Sequence, residues 1–145
     1  QLADYAEQLA VLPPGATVAE LGYLKQISCR SVFPDSQSWL DPVTALFPWA
    51  IAPTGYLWAG PAGCVTGLHS DDEQNLLFQL HGEKRVTLVP KSFSGCLYTN
   101  QKYDSGTTCC DVDAESPDLR RHPKFKEVLE AKGAVRTTVS SLSVP

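Results

Sequence analysis

The sequence predicts a mainly β domain with flanking helices, on three observations. Between Tyr56 and Val89, short apolar runs are separated by Gly- and Pro-containing turns at close intervals, the pattern of a sandwich or barrel. The first dozen residues carry helical rather than strand periodicity. The chain of 145 residues is 43% hydrophobic and 19% charged, enough for one domain with a real core and too apolar for disorder.

Taken in order, residues 2–12 predict a helix, because Leu2, Tyr5, Ala6 and Leu9 fall on one face, and Pro13-Pro14-Gly15 stops it. Thr17 to Gln26 predicts a second short helix, with Thr17 as cap and Glu20 at the capping-box position. Ser31 to Pro53 is rich in Pro, Asp and Ser and reads as irregular chain interleaved with Phe33, Trp39, Leu40, Leu46, Phe47 and Trp49. Strands follow at 56–59 and 64–69, with the turn Gly60-Pro61-Ala62-Gly63 between them. Asn75 to His81 alternates Leu76, Phe78 and Leu80 against Asn75, Leu77 and Gln79, which predicts a third strand. Gly82-Glu83 would turn it into a fourth, Arg85 to Val89, as an antiparallel hairpin closed by Pro90. Ser92 to Pro123 reads as a long polar insertion, Lys124 to Ala131 as a helix stopped near Gly133, and Ala134 to Val144 as a last strand or strand pair.

Charge and cysteine usage exclude several classes. A net charge of -4, with basic residues clustered only from Arg120 to Lys126, argues against general nucleic-acid or membrane-surface binding. No apolar run approaches the roughly 18 residues of a membrane span, and the start does not resemble a signal peptide. The five cysteines, Cys29, Cys64, Cys96, Cys109 and Cys110, lack the spacing of a zinc site or a disulfide framework. They read as free thiols, and the chain as intracellular, in nucleus or cytoplasm. Vicinal Cys109-Cys110 leaves a redox role open. The chain begins at Gln1 and contains no Met, so it reads as processed or excised.

Two places can carry chemistry. In His69-Ser70-Asp71, an imidazole and a carboxylate at strand spacing project to one side. They supply two thirds of a 2-His-1-carboxylate triad, which holds Fe(II) by one face. The same pair is also what a polar surface turn contains. Lys84 lies in phase with Val86 and Leu88, so it either reaches back to solvent or meets an anion such as one end of a dicarboxylate. Thr66 and Asn75 flank the His-x-Asp with hydrogen-bonding side chains, equally compatible with ordinary strand positions.

Together these residues form an ordered string: Leu57-Trp58-Ala59-Gly60-Pro61, Thr66-Gly67-Leu68-His69-Ser70-Asp71, Asn75 through Gln79, and Gly82-Glu83-Lys84-Arg85. The string resembles the Jumonji-C (JmjC) domain, in particular its small protein-hydroxylase branch, with W-x-G-P-x-G, T/S-x-x-H-x-D, N-x-x-x-Q and G-x-K-R/Y in that order. Leu97-Tyr98, Asp111-Val112-Asp113, Ser116 to Leu119 and Pro123-Lys124-Phe125 resemble a loop between barrel strands of that branch, and Tyr23-Leu24 a cosubstrate-contacting pair. The likeness covers roughly residues 20–130.

The resemblance implies a double-stranded β-helix (cupin or jelly-roll) core and Fe(II)- and 2-oxoglutarate-dependent dioxygenase chemistry. A protein hydroxylase, or demethylase, acting on a protein substrate is implied with it. His69 and Asp71 would ligate the metal. Lys84 would pair with the 5-carboxylate of 2-oxoglutarate, Thr66 and Tyr23 would donate hydroxyl hydrogen bonds to it, Asn75 would brace a ligand or reach the cosubstrate's other end, and Trp58 would wall the pocket. One domain over 1–145 is implied: helical and irregular over 1–55, metal- and cosubstrate-binding strands over 56–90, insertion loop and helix over 91–133, and the start of the last strands over 134–145. The departure lies at the end. Leu142-Ser143-Val144-Pro145 resembles the L-x-x-P that precedes a W-x-H bearing the third ligand, and the chain stops there. His81 and His122 do not occupy that position. The expectation is therefore an incomplete barrel whose free edges leave an oligomer open. A catalytically impaired chain, binding 2-oxoglutarate or a partner protein without turnover, stands as the alternative to an enzyme.

Overall fold

The computed structural model describes residues 2–13, 16–47, 55–100, 102 and 107–141. Pro14-Gly15, Trp49 and the Leu142–Pro145 motif lie outside them, as do the side chains of Trp39 and Leu40. Two compact units divide the chain, Gln1–Val65 and Thr66–Pro145. The division falls inside the segment 56–90 expected to carry the metal and cosubstrate strands.

In the first unit, helix α1 (Leu2–Ala10) forms where periodicity predicts it. The Tyr5 hydroxyl on its inner face shares its proton between the carbonyls of Gly22 and Ala59, each at 3.0 Å. The second helix, α2 (Val18–Leu21), is a single turn. Its start carries half of the predicted capping box, Glu20 Oε2 accepting from the Thr17 N–H at 2.6 Å and from its hydroxyl at 3.2 Å. Gly22, at φ +82°, ends it in the left-handed conformation that a side chain would oppose. The residues expected to continue the helix instead form strand β1 (Leu24–Ser28), antiparallel to β2 (Tyr56–Ala59). Leu24 faces Ala59 and Ile27 faces Leu57, so β1 spends one extra residue between those pairs. That residue count is a β-bulge, and Gln26, at φ +55°, absorbs it. After the short helix α3 (Cys29–Val32) comes α4 (Ser36–Leu46), where irregular chain was expected. Pro42 lies inside α4; it removes one backbone donor without preventing the surrounding turns. A cleft of about 590 Å³ is lined by Leu2, Tyr5, Leu21, Leu24, Ile27 and Val32, with Asp4 and Gln8.

In the second unit, β3 (His69–Ser70), β5 (Thr99–Asn100) and β6 (Thr108–Cys110) form an antiparallel sheet in the order β3-β6-β5. Strand β4 (Glu83–Leu88) pairs along its full length with β7 (Val135–Ser140), from Glu83 opposite Ser140 to Leu88 opposite Val135. The predicted hairpin partner, Asn75 to His81, forms no strand. Residues 74–80 make no ladder with any described strand, and Phe78 and Leu80 stand 57% and 78% exposed. The core draws on the segment expected to be a polar insertion together with the helix that follows it. Cys96 and Leu97, at the end of the 3-10 turn Lys91–Cys96, pack with Val112, Ala114 and two residues of α5 (Phe125–Glu130), Phe125 and Val128, both 0% exposed. Singly spaced apolar residues among turns have no period to betray them, yet each tight turn can bury one side chain. All the described strand pairs are antiparallel, which with the helices preceding them gives the mixed, β-rich architecture expected. Among the described residues no helix is long and apolar enough to cross a membrane.

Candidate metal centre

The His69–Asp71 pair sits at the end of β3, in the unit that holds the core. Leu68, just before it, packs against that core, and its carbonyl accepts from the Cys110 N–H at 3.0 Å. His69 is thereby placed on the face opposite the core, directly across the ladder from Cys109. Its Nδ1 lies 2.8 Å from the Gly67 carbonyl. A carbonyl only accepts, so Nδ1 carries the proton and Nε2 presents its lone pair. The nearest Asp71 oxygen to Nε2, Oδ1, is 3.8 Å away.

Asp71 is held independently. Its Oδ2 accepts from Asn75 Nδ2 at 2.6 Å, and its Oδ1 from the Thr107 hydroxyl at 3.4 Å. Both side chains remain about a third exposed, at 35% and 37%. An oriented neutral imidazole beside a hydrogen-bonded carboxylate is a donor set suited to a divalent first-row metal. Among the described residues no third His, Cys, Asp or Glu groups with the pair. His81 is exposed, its carbonyl accepting from Gln79 Nε2 at 2.7 Å. His122 is buried beside the Tyr98 ring, with centroids 4.8 Å apart, and its Nδ1 has no hydrogen-bond partner among the described residues.

The remaining predicted residues are spread over several elements. Asn75 is brought to Asp71, as described. Thr66 is exposed just upstream of β3. Lys84 is half-buried on β4 opposite Val139, on the strand face it shares with Val86 and Leu88. The opposite face of β4 carries Arg85 and Thr87, both bound to Glu115. Tyr23 and Trp58 belong to the first unit. Lys25 Nζ stands 4.9 Å above the Tyr23 ring, and Trp58 is 40% exposed and meets Tyr56 edge-on at 6.1 Å.

Sequence reasoning did not single out Thr107 or the placement of Cys109 opposite His69. Thr107 is 36 residues from Asp71, and nothing in the chain marks that pairing. Cys110, on the core side of the same strand, is half-buried and held above the ordinary thiol range by burial first and then by Cys109 and Asp111.

Residues 13–140 match the family model described as a cupin-like domain. A 72-residue stretch is 38% identical to lysine-specific demethylase 8 of Xenopus tropicalis, covering 48% of this chain and 16% of that protein. A 71-residue stretch is 41% identical to JmjC domain-containing protein D of Dictyostelium discoideum, covering 48% and 15%. Human HSPB1-associated protein 1 matches at 34% over 83 residues, covering 56% and 17%. The matched stretches thus span under a fifth of each relative's length. With nearly the whole chain inside the family match and JmjC proteins among its relatives, the chain belongs to the cupin-like family, as a domain of the JmjC type.

Proposed function

We propose that this domain belongs to an Fe(II)- and 2-oxoglutarate-dependent dioxygenase that hydroxylates or demethylates a protein side chain, with His69 and Asp71 as metal ligands. The observation that carries the reading is the oriented pair: an imidazole tautomer fixed through Gly67, and a carboxylate fixed through Asn75 and Thr107. Both hold their donor atoms toward each other without needing to pair directly. Bound there, iron would supply the oxygen chemistry, at the expense of decarboxylating 2-oxoglutarate to succinate. The protein's share is to hold and orient. Asn75 keeps one Asp71 oxygen from rotating. Lys84, a cation on an otherwise apolar strand face, supplies the counter-charge for a carboxylate of the cosubstrate, and Thr66 a hydroxyl donor. Names among the relatives, a lysine demethylase and an HSPB1-associated protein, support a protein as substrate or partner.

Anaerobic titration with Co(II), followed by visible absorption, tests the metal pair; binding lost in His69→Ala and Asp71→Ala supports it, and equal binding by all three proteins removes it. Calorimetry with 2-oxoglutarate tests Lys84. A buried carboxylate stripped of its cation costs about 3–5 kcal/mol, so for this half-buried lysine Lys84→Ala should weaken binding at least about tenfold, and more than Lys84→Arg. Equal affinities would remove the assignment. Succinate release, with His69→Ala as background, separates turnover from binding alone. Binding without succinate would support the second reading, favoured by the two-residue donor set among the described residues.

A further inference from the structure

We propose that the turn Asp118–Lys124 is a docking surface for an acidic peptide, engaged by Arg120, Arg121 and Lys124. Four cations fall within residues 120–126 of a chain whose net charge is -4. Lys126 pairs with Glu130 at 3.3 Å, the i,i+4 arrangement of an ordinary solvated helix face. Arg120, Arg121 and Lys124 are exposed, and no carboxylate lies within ion-pair reach of them among the described residues. The nearby acids are engaged otherwise. Asp118 Oδ1 accepts from the backbone N–H groups of Arg120 and Arg121 at 2.9 and 3.2 Å, and Glu127 accepts from the Cys96 thiol at 3.6 Å.

The backbone beneath these cations is fixed. The His122 N–H donates to the Asp118 carbonyl at 2.8 Å, the Lys124 N–H to the Tyr98 hydroxyl at 3.0 Å, and the Phe125 N–H to the His122 carbonyl at 3.1 Å. His122 is buried against Tyr98, and Phe125 lies in the core. Charges mounted on an ordered turn lose less freedom on binding than charges on a mobile loop. Two guanidinium forks match carboxylates in geometry as well as sign.

The observations favour a short acidic peptide over a nucleic acid. A long polyanion would extend past three cations onto an otherwise acidic protein, whereas nucleic-acid binding draws on a broad basic face. None of these residues is assigned to the metal or the cosubstrate, so the inference stands apart from the proposed activity.

The test is fluorescence anisotropy of a labelled oligoglutamate peptide with the full chain at low and raised salt. The expected result is salt-sensitive binding that Arg120→Gln/Arg121→Gln/Lys124→Gln weakens about tenfold, the sum of three exposed charge contacts. Lys91→Gln, an exposed cation outside the turn, should leave it unchanged. Circular dichroism verifies the fold of the triple variant, and the single variant Arg121→Gln, expected to weaken binding partially, serves if the triple variant does not fold. Absence of binding, equal affinity of wild type and variants, equal binding of oligoglutamine, or tighter binding of a single-stranded oligonucleotide would each overturn the proposal.

Discussion

Asp71 accepts a hydrogen bond on each oxygen from a neutral side chain, so its orientation does not depend on His69. The two partners differ in strength, because the Asn75 contact is 2.6 Å and the Thr107 contact 3.4 Å. Removing a group that orients a metal ligand commonly costs about 10–100-fold in metal affinity. Asn75→Ala is therefore expected to weaken Co(II) binding by about that range and Thr107→Val by less, both measured by the same titration. A Thr107→Val effect exceeding that of Asn75→Ala would reverse the ranking. Asn75 was legible in the chain because it lies four residues from Asp71. Thr107 was not, because only the β3–β6 ladder brings it there.

At the scale of elements, β4 and β7 are clamped to the loop after β6 by one carboxylate. Glu115 accepts from the Thr87 hydroxyl at 2.7 Å and from Arg85 at 2.8 Å, with Arg136 at 3.6 Å. The Thr87 bond first, then the Arg85 bond and the two guanidinium charges, hold its carboxyl below the usual carboxylate range. A carboxyl with a lowered pKa in the folded state contributes stability that is complete above the unfolded-state value and is lost as pH falls through the folded one. Thermal unfolding followed from neutral to acid pH should therefore show a fall in Tm below the ordinary carboxylate range that Glu115→Gln reduces. An identical acid profile for the variant would count against the clamp. The segment Asn75–His81 teaches the opposite lesson. Its alternation predicts two faces of a strand, yet no strand forms, and Leu76 and Leu77, expected on opposite faces, are both exposed. No described strand pairs with residues 74–80. Helix α4 shows the same limit for breakers: Pro42 forbids one hydrogen bond, not a helix.

Over the molecule, the buried core identified among the described residues lies mostly in the second unit and turns on few side chains. Phe125 and Val128 are its largest fully buried members. Truncating a buried Phe costs about 3–5 kcal/mol, a large part of the roughly 5–15 kcal/mol that holds a typical domain. Phe125→Ala should lower the unfolding free energy from urea titration, followed by far-UV circular dichroism, by that amount; a loss below about 1 kcal/mol would show that the site collapses around the cavity. The family, the β-rich character and the positions of α1, β2, β4 and α5 were legible in the chain. All of these rest on local periodicity, turn residues or short spaced motifs. Which strand β4 pairs with, that residues 24–26 leave the expected helix to join β2, that the polar stretch 92–123 packs its apolar residues against Phe125 and Val128 of α5, and that Thr107 reaches Asp71 were settled by the tertiary structure alone. Those outcomes depend on contacts between residues far apart in the chain, and a pattern that repeats over two or four residues carries no information about them.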